Sequence, residues 1–368
     1  MPQLRASDTV INEDSQSLHE QYDYTFDRIF GIETEYGISV TNANSNKYSD
    51  SDHSAQEYII FDDISRKSMD PQSVALAIFR PVISRARSTN TYVNNGSRLY
   101  LDVGAHPEYA TAEARNPYEA LLQDLAGEQI MANLANKAQE SLFEDSGVKI
   151  HLFKNNVDSA GNSFGCHENY LVRRFVTLQD LEQQLIPFLI SRQIFTGAGR
   201  FANNRFSITQ RAEFMDEVIS SATTRSRPMI NTRDEPHAPA GLFMRLHVII
   251  GDSNRLQWST FMKLATTHLV LCVIEYARAH NVPCDFENFA LQNPHAANIA
   301  LSNDTTCMSP SMVLQSGKIM SALQLQQEYV RIVEQFFDEH GYHMLDQRMC
   351  DYKWVIKEWK QALYALES

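Results

Sequence analysis

The sequence predicts an α+β fold with a mainly antiparallel sheet. Strand-like segments precede and interrupt the helical segments without the regular alternation of βαβ units. Several of them alternate polar and apolar residues, as strands do when one face packs on a core and the other stays open. Neither GxGxxG nor GxxxxGK[ST] occurs, so the sequence contains no signature of a Rossmann site or a P-loop.

Strands are predicted where aromatic and β-branched residues cluster between turn residues. The predicted strand segments are 25–41, 98–111 with an internal turn, 149–156, 167–175, 206–212, 227–233 and 244–250. A polar stretch, residues 43–71, is predicted as a long loop after the first strand.

Helices are predicted where apolar residues recur every three to four positions. The predicted helices are 73–86, opened by Pro71, then 116–143, 181–195, 263–280, 323–341 and 352–368. Segment 263–280 is apolar nearly all round, which predicts a buried helix.

Length and charge restrict the possible functions. A chain of 368 residues predicts one large or two ordinary domains, and residues 1–25 have the few apolar anchors of a disordered acidic extension. The 32 Lys and Arg against 45 Asp and Glu give a net charge of −13, which disfavours a nucleic-acid-binding protein. An anionic partner would have to be met by a local basic pocket.

Compartment signals favour the cytoplasm. No run of about 18 apolar residues occurs, so we expect no membrane span. The polar, acidic first thirty residues are unlike a signal peptide. Five widely spaced cysteines without a CxxC pair fit reduced thiols better than disulfides or a zinc site.

The first candidate site residues lie in RLYLDVGAHPEYAT, residues 98–111. Strand side chains alternate with period two, so Arg98, Tyr100 and Asp102 share one face and the apolar residues between them share the other. Glu108 follows a Gly–Pro turn and is expected to return to the same region. This strand therefore has one core face and one face suited to chemistry.

The first strand repeats the pattern in GIETEYG, where Glu33 and Glu35 share a face. Two carboxylates on one face repel unless a positive group lies between them. Carboxylate oxygens are the ligands that Mg²⁺ prefers, together with water and substrate phosphates. The alternative is a solvated face with ordinary acids. Because both strands carry the pattern beside glycines, the site interpretation is favoured.

Two further segments place histidines on strand faces. His167 shares a face with Asn169 in GCHENY, and His247 shares a face with Arg245 in MRLHVII. For each pair alone, the alternative is a structural histidine or a strand with a few polar residues.

The segment TTRSRPMINTRDEPH carries Arg225, Arg227 and Arg233. Arginine forks match phosphate and carboxylate geometry bidentately. The alternative is a surface set of ion pairs with Asp234 and Glu235. Taken together, the clusters suit ATP chemistry on a sheet without a P-loop, and composition alone does not separate a kinase from a ligase.

Five segments resemble the Pup–protein ligase family (proteasome accessory factor A) closely and in the same order. The resemblance runs from about Arg28 to the end of the chain. The segments are FGIETEYG, NGSRLYLDVGAHPEYAT, KNNVDSAGNSFGCHENYL, SSATTRSRPMINTRDEPHA and RLHVIIGDSN.

The resemblance implies a fold and an activity. The family is related to glutamine synthetase, so residues 26–368 are expected to form a curved, mainly antiparallel sheet backed by helices. Its members use ATP to join the side-chain carboxylate of the C-terminal glutamate of Pup to a lysine of a target protein. The reaction passes through a γ-glutamyl phosphate, and the conjugates go to a bacterial proteasome.

The resemblance also implies roles for residues. Glu33 and Glu108 match Mg²⁺ ligands, and Tyr100 is expected close to the metal. Arg98 and Thr111 match positions that contact ATP.

One further match implies a definite role, and four others imply only a place in the site. Asp102 matches the catalytic base that takes the proton of the attacking lysine. Glu35 and His167 are expected near the metal, and Arg227 and His247 with the nucleotide.

Three alternatives stay open. Residues 43–71 are longer than expected for the ligase, and the sister family of depupylases or Pup deamidases carries an insertion near this point. The helical run WKQALYALES has no stop signal, so the chain is expected to lack the small C-terminal domain, and an inactive Pup-binding fragment is the second alternative. A glutamate–cysteine ligase is the third, since it would share the metal carboxylates.

Overall fold

A computed structural model gives the architecture for most of the chain. The residues it describes are 26–42, 71–101, 106–143, 148–158, 161–221, 227–234, 237–347 and 349–368. Most of the predicted loop 43–71 and all of the predicted extension 1–25 lie outside these residues.

The described residues contain fourteen strands. They are β1 (Phe30–Glu35), β2 (Gly37–Asn42), β3 (Asn90–Tyr92), β4 (Arg98–Leu101), β5 (Pro107–Ala110), β6 (Val148–Phe153), β7 (Cys166–Arg173), β8 (Arg200–Ala202), β9 (Arg205–Ser207), β10 (Glu217–Ser220), β11 (Pro228–Asn231), β12 (Phe243–Val248), β13 (Met312–Val313) and β14 (Ile319–Met320). Eight of them form one sheet in the order β10-β11-β12-β7-β1-β5-β4-β3. Only the β10–β11 pair in this sheet is parallel, which confirms the predicted α+β class with a mainly antiparallel sheet.

Nine α-helical segments lie in the described part of the chain. They are α1 (Pro71–Ala86), α2 (Pro117–Phe143), α3 (Leu178–Asp180), α4 (Ile186–Ser191), α5 (Gln193–Thr196), α6 (Gln257–His280), α7 (Pro294–Asn303), α8 (Ala322–His340) and α9 (Tyr352–Glu367). Helix α6 is buried along most of its length, as its apolar sequence predicted.

The strands of the main sheet have one face on the helices and one open face. In β1, Ile32 and Thr34 are buried on the helix side, and the Thr34 hydroxyl donates to Asp124 of α2 at 2.9 Å. In β7 the buried and half-buried residues alternate without exception. Because the pattern has period two, Glu33 and Glu35 of β1 are turned to the open face, as are His167 and Asn169 of β7.

Helix α2 can lie close behind the sheet because of one glycine. A Cβ on Gly127 would come within 2.3 Å of the Tyr109 ring on β5, so only glycine allows this approach. Tyr109 and Leu99 belong to a small core with residues of α1 and α2, and this core supports β4 and β5 from behind.

Three secondary-structure predictions were wrong in detail. The first strand is broken at Tyr36, and β2 leaves the main sheet to pair with β6. The predicted strand 206–212 ends at Ser207, because the next residues turn so that the Gln210 amide can donate to the buried Asp252 carboxylate at 2.9 Å. The predicted helix 181–195 contains a π-helical turn, Leu181–Leu185, just before Pro187, which has no N–H to donate.

Helix α7 was not predicted. It is short, and it begins where the Asn293 side chain accepts the amide of Ala296. Short helices depend on such caps and on tertiary packing more than on apolar periodicity.

Two further observations concern the cysteines and the helices. All five cysteines are buried and free, as the spacing predicted. No helix in the described ranges combines the length and the apolar character needed to cross a bilayer.

Candidate active site

Polar side chains from neighbouring strands meet on the open face, in two cross-strand rows centred on β1. In the first row, Glu35 lies opposite Glu108 of β5, which lies opposite Tyr100 of β4. In the second row, Glu33 lies opposite His167 of β7.

Three more side chains extend the second row and its neighbour. Arg98 of β4 and Glu33 of β1 both lie opposite Ala110 of β5, so Arg98 belongs to the same cross-strand row as Glu33. Asn169 of β7 lies opposite His247 of β12 in the adjacent row. Antiparallel pairing therefore gathers residues that are far apart in the chain.

Glu33 is the best-connected group of the site. Its Oε1 accepts a hydrogen bond from Asn169 Nδ2 at 3.0 Å and lies 3.7 Å from Arg245 Nη1. Its Oε2 lies 3.4 Å from His167 Nδ1. Burial disfavours the charged carboxylate, but the His167 hydrogen bond and nearby positive charge, including that of Arg245, outweigh it and lower the pKa of Glu33 to about 2.

The two histidines stand side by side. The His167 and His247 rings pack edge to face with centroids 5.0 Å apart, and His247 Nδ1 lies 2.8 Å from Asn169 Oδ1. Burial lowers the pKa of His247 to about 3, although Glu33 acts in the opposite direction. His247 is therefore a neutral imidazole at neutral pH, the form that can bind a metal ion.

Glu35 lies one row further along β1. Its Oε2 is 3.5 Å from His106 Nδ1. Burial opposes its ionisation, but the hydrogen bond from His106 and nearby positive groups lower the pKa of this carboxyl group. A Cβ on Gly165 would lie 2.4 Å from His167 Nε2 and 3.0 Å from Glu35 Oε1, so a larger residue here would displace the His167 ring.

The side of the site on β4 and β5 combines a phenol, a carboxylate and a guanidinium. The Tyr100 hydroxyl donates to Glu108, and the Arg98 guanidinium carbon lies 4.8 Å from the centre of the Tyr100 ring. Arg98 Nε also donates to Asn90 on β3 at 2.6 Å. The Thr111 hydroxyl oxygen accepts the backbone N–H of Ile32 at 3.0 Å, which links the end of β5 to β1.

Arg227 reaches the site from the opposite side. Its Nη2 donates to the Ser163 carbonyl at 2.9 Å, two residues before Gly165. Nearby, the buried Arg211 donates from Nη1 to the carbonyls of Ile249 and Gly251 at 2.6 and 3.1 Å.

Not every predicted site residue can be placed. Asp102, the predicted base, lies in 102–105, outside the described residues, and Arg225 lies in 222–226, outside them as well. Arg233 is described, and its backbone amide donates to Asn231 at 2.7 Å. Of the two acids in the alternative ion-pair set, Asp234 pairs with Arg174, and Glu235 lies outside the described residues.

Three residues of the site were given no role from the sequence. The two-residue period placed Asn169 on the face of His167 and Arg245 on the face of His247, but it assigned neither a function. Arg211 had no such signal, because it lies within the segment 206–212, which was predicted as a strand with no chemical face. Its place beside Glu35 depends on the fold of residues 208–214 and of the loop after β12.

A divalent cation fits the donor atoms of this face. Ligand atoms of Glu33, His167 and His247 all lie within 4.8 Å of one another. Glu35 and Glu108 add carboxylate oxygens on the next row, and carboxylates suit Mg²⁺. The lowered pKa values of Glu33 and Glu35 keep these carboxylates ionised, as a metal ligand must be.

Sequence comparison identifies the family. The profile described as Pup-ligase protein matches residues 28–368. The chain belongs to the Pup ligase family. The sequence is 54% identical over 372 residues to the Pup–protein ligase of Bifidobacterium longum strain NCC 2705 and covers 72% of that protein. It is 50% identical to the Pup–protein ligase of Bifidobacterium adolescentis, again over 72% of the relative.

Solved structures of Pup ligases have the same fold. The ligase PafA in complex with the prokaryotic ubiquitin-like protein Pup superimposes with a TM-score of 0.77 at 36% identity. The match covers 94% of this chain and 64% of that PafA chain, so the present chain spans less than two thirds of it. A structure of PafA in complex with ADP superimposes with a TM-score of 0.68 at 37% identity, over 89% of this chain and 70% of that chain. The glutamine-synthetase-like fold expected from the resemblance is thereby confirmed.

Proposed function

We propose that this protein joins the C-terminal glutamate of Pup to lysines of target proteins in an ATP-dependent reaction. The observation that carries the proposal is the cluster of Glu33, Glu35 and Glu108 on one open sheet face, in a chain of the Pup ligase family. A carboxylate is a poor electrophile, so activation by ATP as a γ-glutamyl phosphate supplies the leaving group that the lysine displaces.

Glu33, Glu35, Glu108 and His167 would hold Mg²⁺, with Tyr100 beside it. We place His247 with the same group, because it faces His167 and not the Arg98 side of the site. When bound, the cation neutralises phosphate charge during phosphoryl transfer. The protein contributes a fixed set of ionised donors, which Asn169 and Arg245 hold in position around Glu33.

Arg98 and Thr111 would contact the ATP. Arg98 is fixed by the Tyr100 ring and by Asn90, so its charge is positioned before the nucleotide arrives. The Thr111 oxygen already accepts the Ile32 amide, which leaves its hydroxyl proton free to point at a phosphate. The relative solved in complex with ADP supports nucleotide binding by this chain.

Asp102 would act as the base for the incoming lysine. An unperturbed lysine has a pKa of roughly 10.4 and arrives protonated, so it needs a proton acceptor before it can attack. In the sequence, Asp102 comes directly after β4, two positions after Tyr100 and four after Arg98.

Ligation is favoured over the two Pup-related alternatives, a depupylase and an inactive Pup-binding fragment. A depupylase would share the fold and the metal carboxylates, but the Bifidobacterium relatives at 50% identity or more are called Pup–protein ligases. One experiment would separate ligation from an inactive Pup-binding fragment. Purified protein with Mg²⁺, ATP, Pup and a target protein should release ADP and form a conjugate.

The setting follows from the proposed reaction. Residues 26–368 would form the catalytic domain in the cytoplasm, where ATP and reduced thiols prevail. The partners are Pup and lysine-bearing target proteins that are then delivered to a bacterial proteasome, with no nucleic acid or membrane involved.

A further inference from the structure

Asn169 on β7 lies at the centre of three polar contacts in the site. Its Nδ2 is 3.0 Å from Glu33 Oε1, and its Oδ1 is 2.8 Å from His247 Nδ1 and 3.4 Å from Arg245 Nη1. These contacts reach both neighbouring strands, because β7 lies between β1 and β12. One half-buried amide group therefore joins a carboxylate, an imidazole and a guanidinium.

Two of these partners fix the orientation of the amide. An ionised carboxylate can only accept hydrogen bonds, and a guanidinium can only donate them. Glu33 is ionised, so the atom of Asn169 that faces it must be the donor Nδ2. The atom that faces Arg245 must be the acceptor Oδ1. A half-turn of the amide would place acceptor against acceptor on one side and donor against donor on the other.

The orientation of the amide determines where His247 carries its proton. Asn169 Oδ1 has no proton, so the contact at 2.8 Å is a hydrogen bond only if His247 Nδ1 donates. In a neutral imidazole one ring nitrogen carries the proton and the other carries the lone pair. A proton on Nδ1 therefore leaves the lone pair on Nε2. Among the described residues, His247 Nε2 has no hydrogen-bond partner.

A lone pair on Nε2 is what a metal ion would require of this residue. Ligand atoms of Glu33, His167 and His247 lie within 4.8 Å of one another. His167 follows the same rule in its neutral form, because its Nδ1 lies 3.4 Å from the Glu33 carboxylate, which can only accept. Metal-binding histidines generally donate their second ring N–H to a nearby acceptor, and loss of that acceptor lowers metal affinity by roughly 10- to 100-fold.

We propose that Asn169 is a positioning residue that keeps the proton of His247 on Nδ1 and so presents the Nε2 lone pair to the bound cation. The inference rests on the proposed function, in which His247 belongs to the metal-binding group. Both polar atoms of the Asn169 side chain are already used by protein partners, so it acts through His247 and not as a ligand itself. Its bond to Glu33 prevents the half-turn that would reverse the proton on His247.

The first test observes the proton of His247 in the metal-free protein at neutral pH. Ring carbon and nitrogen chemical shifts differ between the two tautomers of histidine, and the signals of His247 are those that disappear in His247→Gln. The unsubstituted protein should carry the proton on Nδ1. Asn169→Asp, whose carboxylate also accepts, should keep it there. Asn169→Leu has no acceptor, so a substantial fraction of His247 should carry the proton on Nε2.

The second test measures metal binding. Mn²⁺ takes carboxylate ligands as Mg²⁺ does, and electron paramagnetic resonance counts the free ion. Asn169→Leu should raise the Kd for Mn²⁺ by roughly 10- to 100-fold. Asn303→Leu is the matched control, because Asn303 is exposed at the end of α7 and donates to the Ile299 carbonyl of its own helix. It should keep both the His247 tautomer and the Kd of the unsubstituted protein.

A proton on His247 Nε2 in the unsubstituted protein, or in Asn169→Asp, would overturn the inference whether or not Asn169→Leu folds. So would an Asn169→Leu variant that melts at a lower temperature but keeps both the tautomer and the Mn²⁺ affinity, because Asn169 would then only link strands. Absence of both ADP and conjugate when the unsubstituted protein is given Mg²⁺, ATP, Pup and a target would instead refute the proposed function, and the tautomer of His247 would be unaffected.

Discussion

Glu35 on β1 and Glu108 on β5 lie directly opposite each other, both buried and both on the open face of the sheet. Two such carboxylates repel each other unless a cation binds between or beside them. The Tyr100 hydroxyl group donates to Glu108 but supplies no charge. The pair is therefore an arrangement that a bound divalent cation would stabilise.

This relationship predicts how Glu108→Gln behaves. The amide keeps an acceptor for Tyr100 and removes one negative charge, so the variant without metal should be at least as stable as the unsubstituted protein. Addition of Mg²⁺ should raise the melting temperature of the unsubstituted protein and raise that of the variant much less. Thermal unfolding with and without Mg²⁺ measures both effects. Glu119→Gln, outside the site, is the control, and an equal Mg²⁺ shift in all three proteins would contradict the assignment.

Replacement of the predicted base should separate binding from chemistry. Asp102→Asn is expected to bind ADP as the unsubstituted protein does and to conjugate Pup roughly 10²- to 10⁴-fold more slowly. Nucleotide fluorescence titration and single-turnover conjugation give the two quantities. A variant with an unchanged conjugation rate would remove Asp102 from the reaction.

Glu168 shows that an acid beside the site need not belong to it. Its carboxylate is fully buried on the helix side of β7 and pairs with Arg192 at 2.5 Å. Arg192→Met would leave this charge unpaired and should lower the free energy of unfolding by roughly 3–5 kcal/mol. Adding Glu168→Gln to that variant should restore part of the loss. Urea unfolding measures both variants, and a double variant less stable than Arg192→Met would argue against an unpaired charge as the cause.

A buried histidine behind the sheet predicts a pH dependence of stability. Burial, and then the charge of Arg28, lower the pKa of His268 well below 6.5, and Arg28 Nε donates to its Nδ1 at 3.1 Å. The unfolded chain takes up a proton at His268 as the pH falls below about 6.5, whereas the folded protein does not. The contribution of His268 to the free energy of unfolding is therefore fully present above this pH and declines below it. The uptake of one proton limits the decline to about 1.4 kcal/mol per pH unit.

His268→Gln should make that decline shallower between pH 6.5 and the onset of acid unfolding. The exposed His295 provides the control variant His295→Gln, which should keep the slope of the unsubstituted protein. Urea unfolding at several pH values gives the slopes, and identical slopes for all three proteins would show that another group is responsible.

Much of the site follows from the two-residue period of strands. That period alone places Glu33 with Glu35, His167 with Asn169, and Arg245 with His247, and the structure confirms that these pairs share the open face. The return of Glu108 to the strand of Tyr100 follows from the turn between them, and the register confirms it.

Strand order could not be predicted in the same way. Nothing local to β7 shows that it lies between β1 and β12, since that order depends on long-range packing. The position of Arg211 depends on such packing too, because Arg211 is fixed by carbonyls of a loop some forty residues away in the sequence. The physical patterns alone did not decide between a kinase and a ligase. The resemblance to a family supplied the reaction and the roles of individual residues.

The central claim is that this open sheet face ligates Pup to lysine. Intact-mass spectrometry of purified protein with Mg²⁺, ATP, Pup and a lysine-bearing target tests it most directly. The account predicts a target heavier by the mass of Pup minus one water. An unchanged target, together with release of target from a conjugate made beforehand, would contradict ligation and assign the face to hydrolysis.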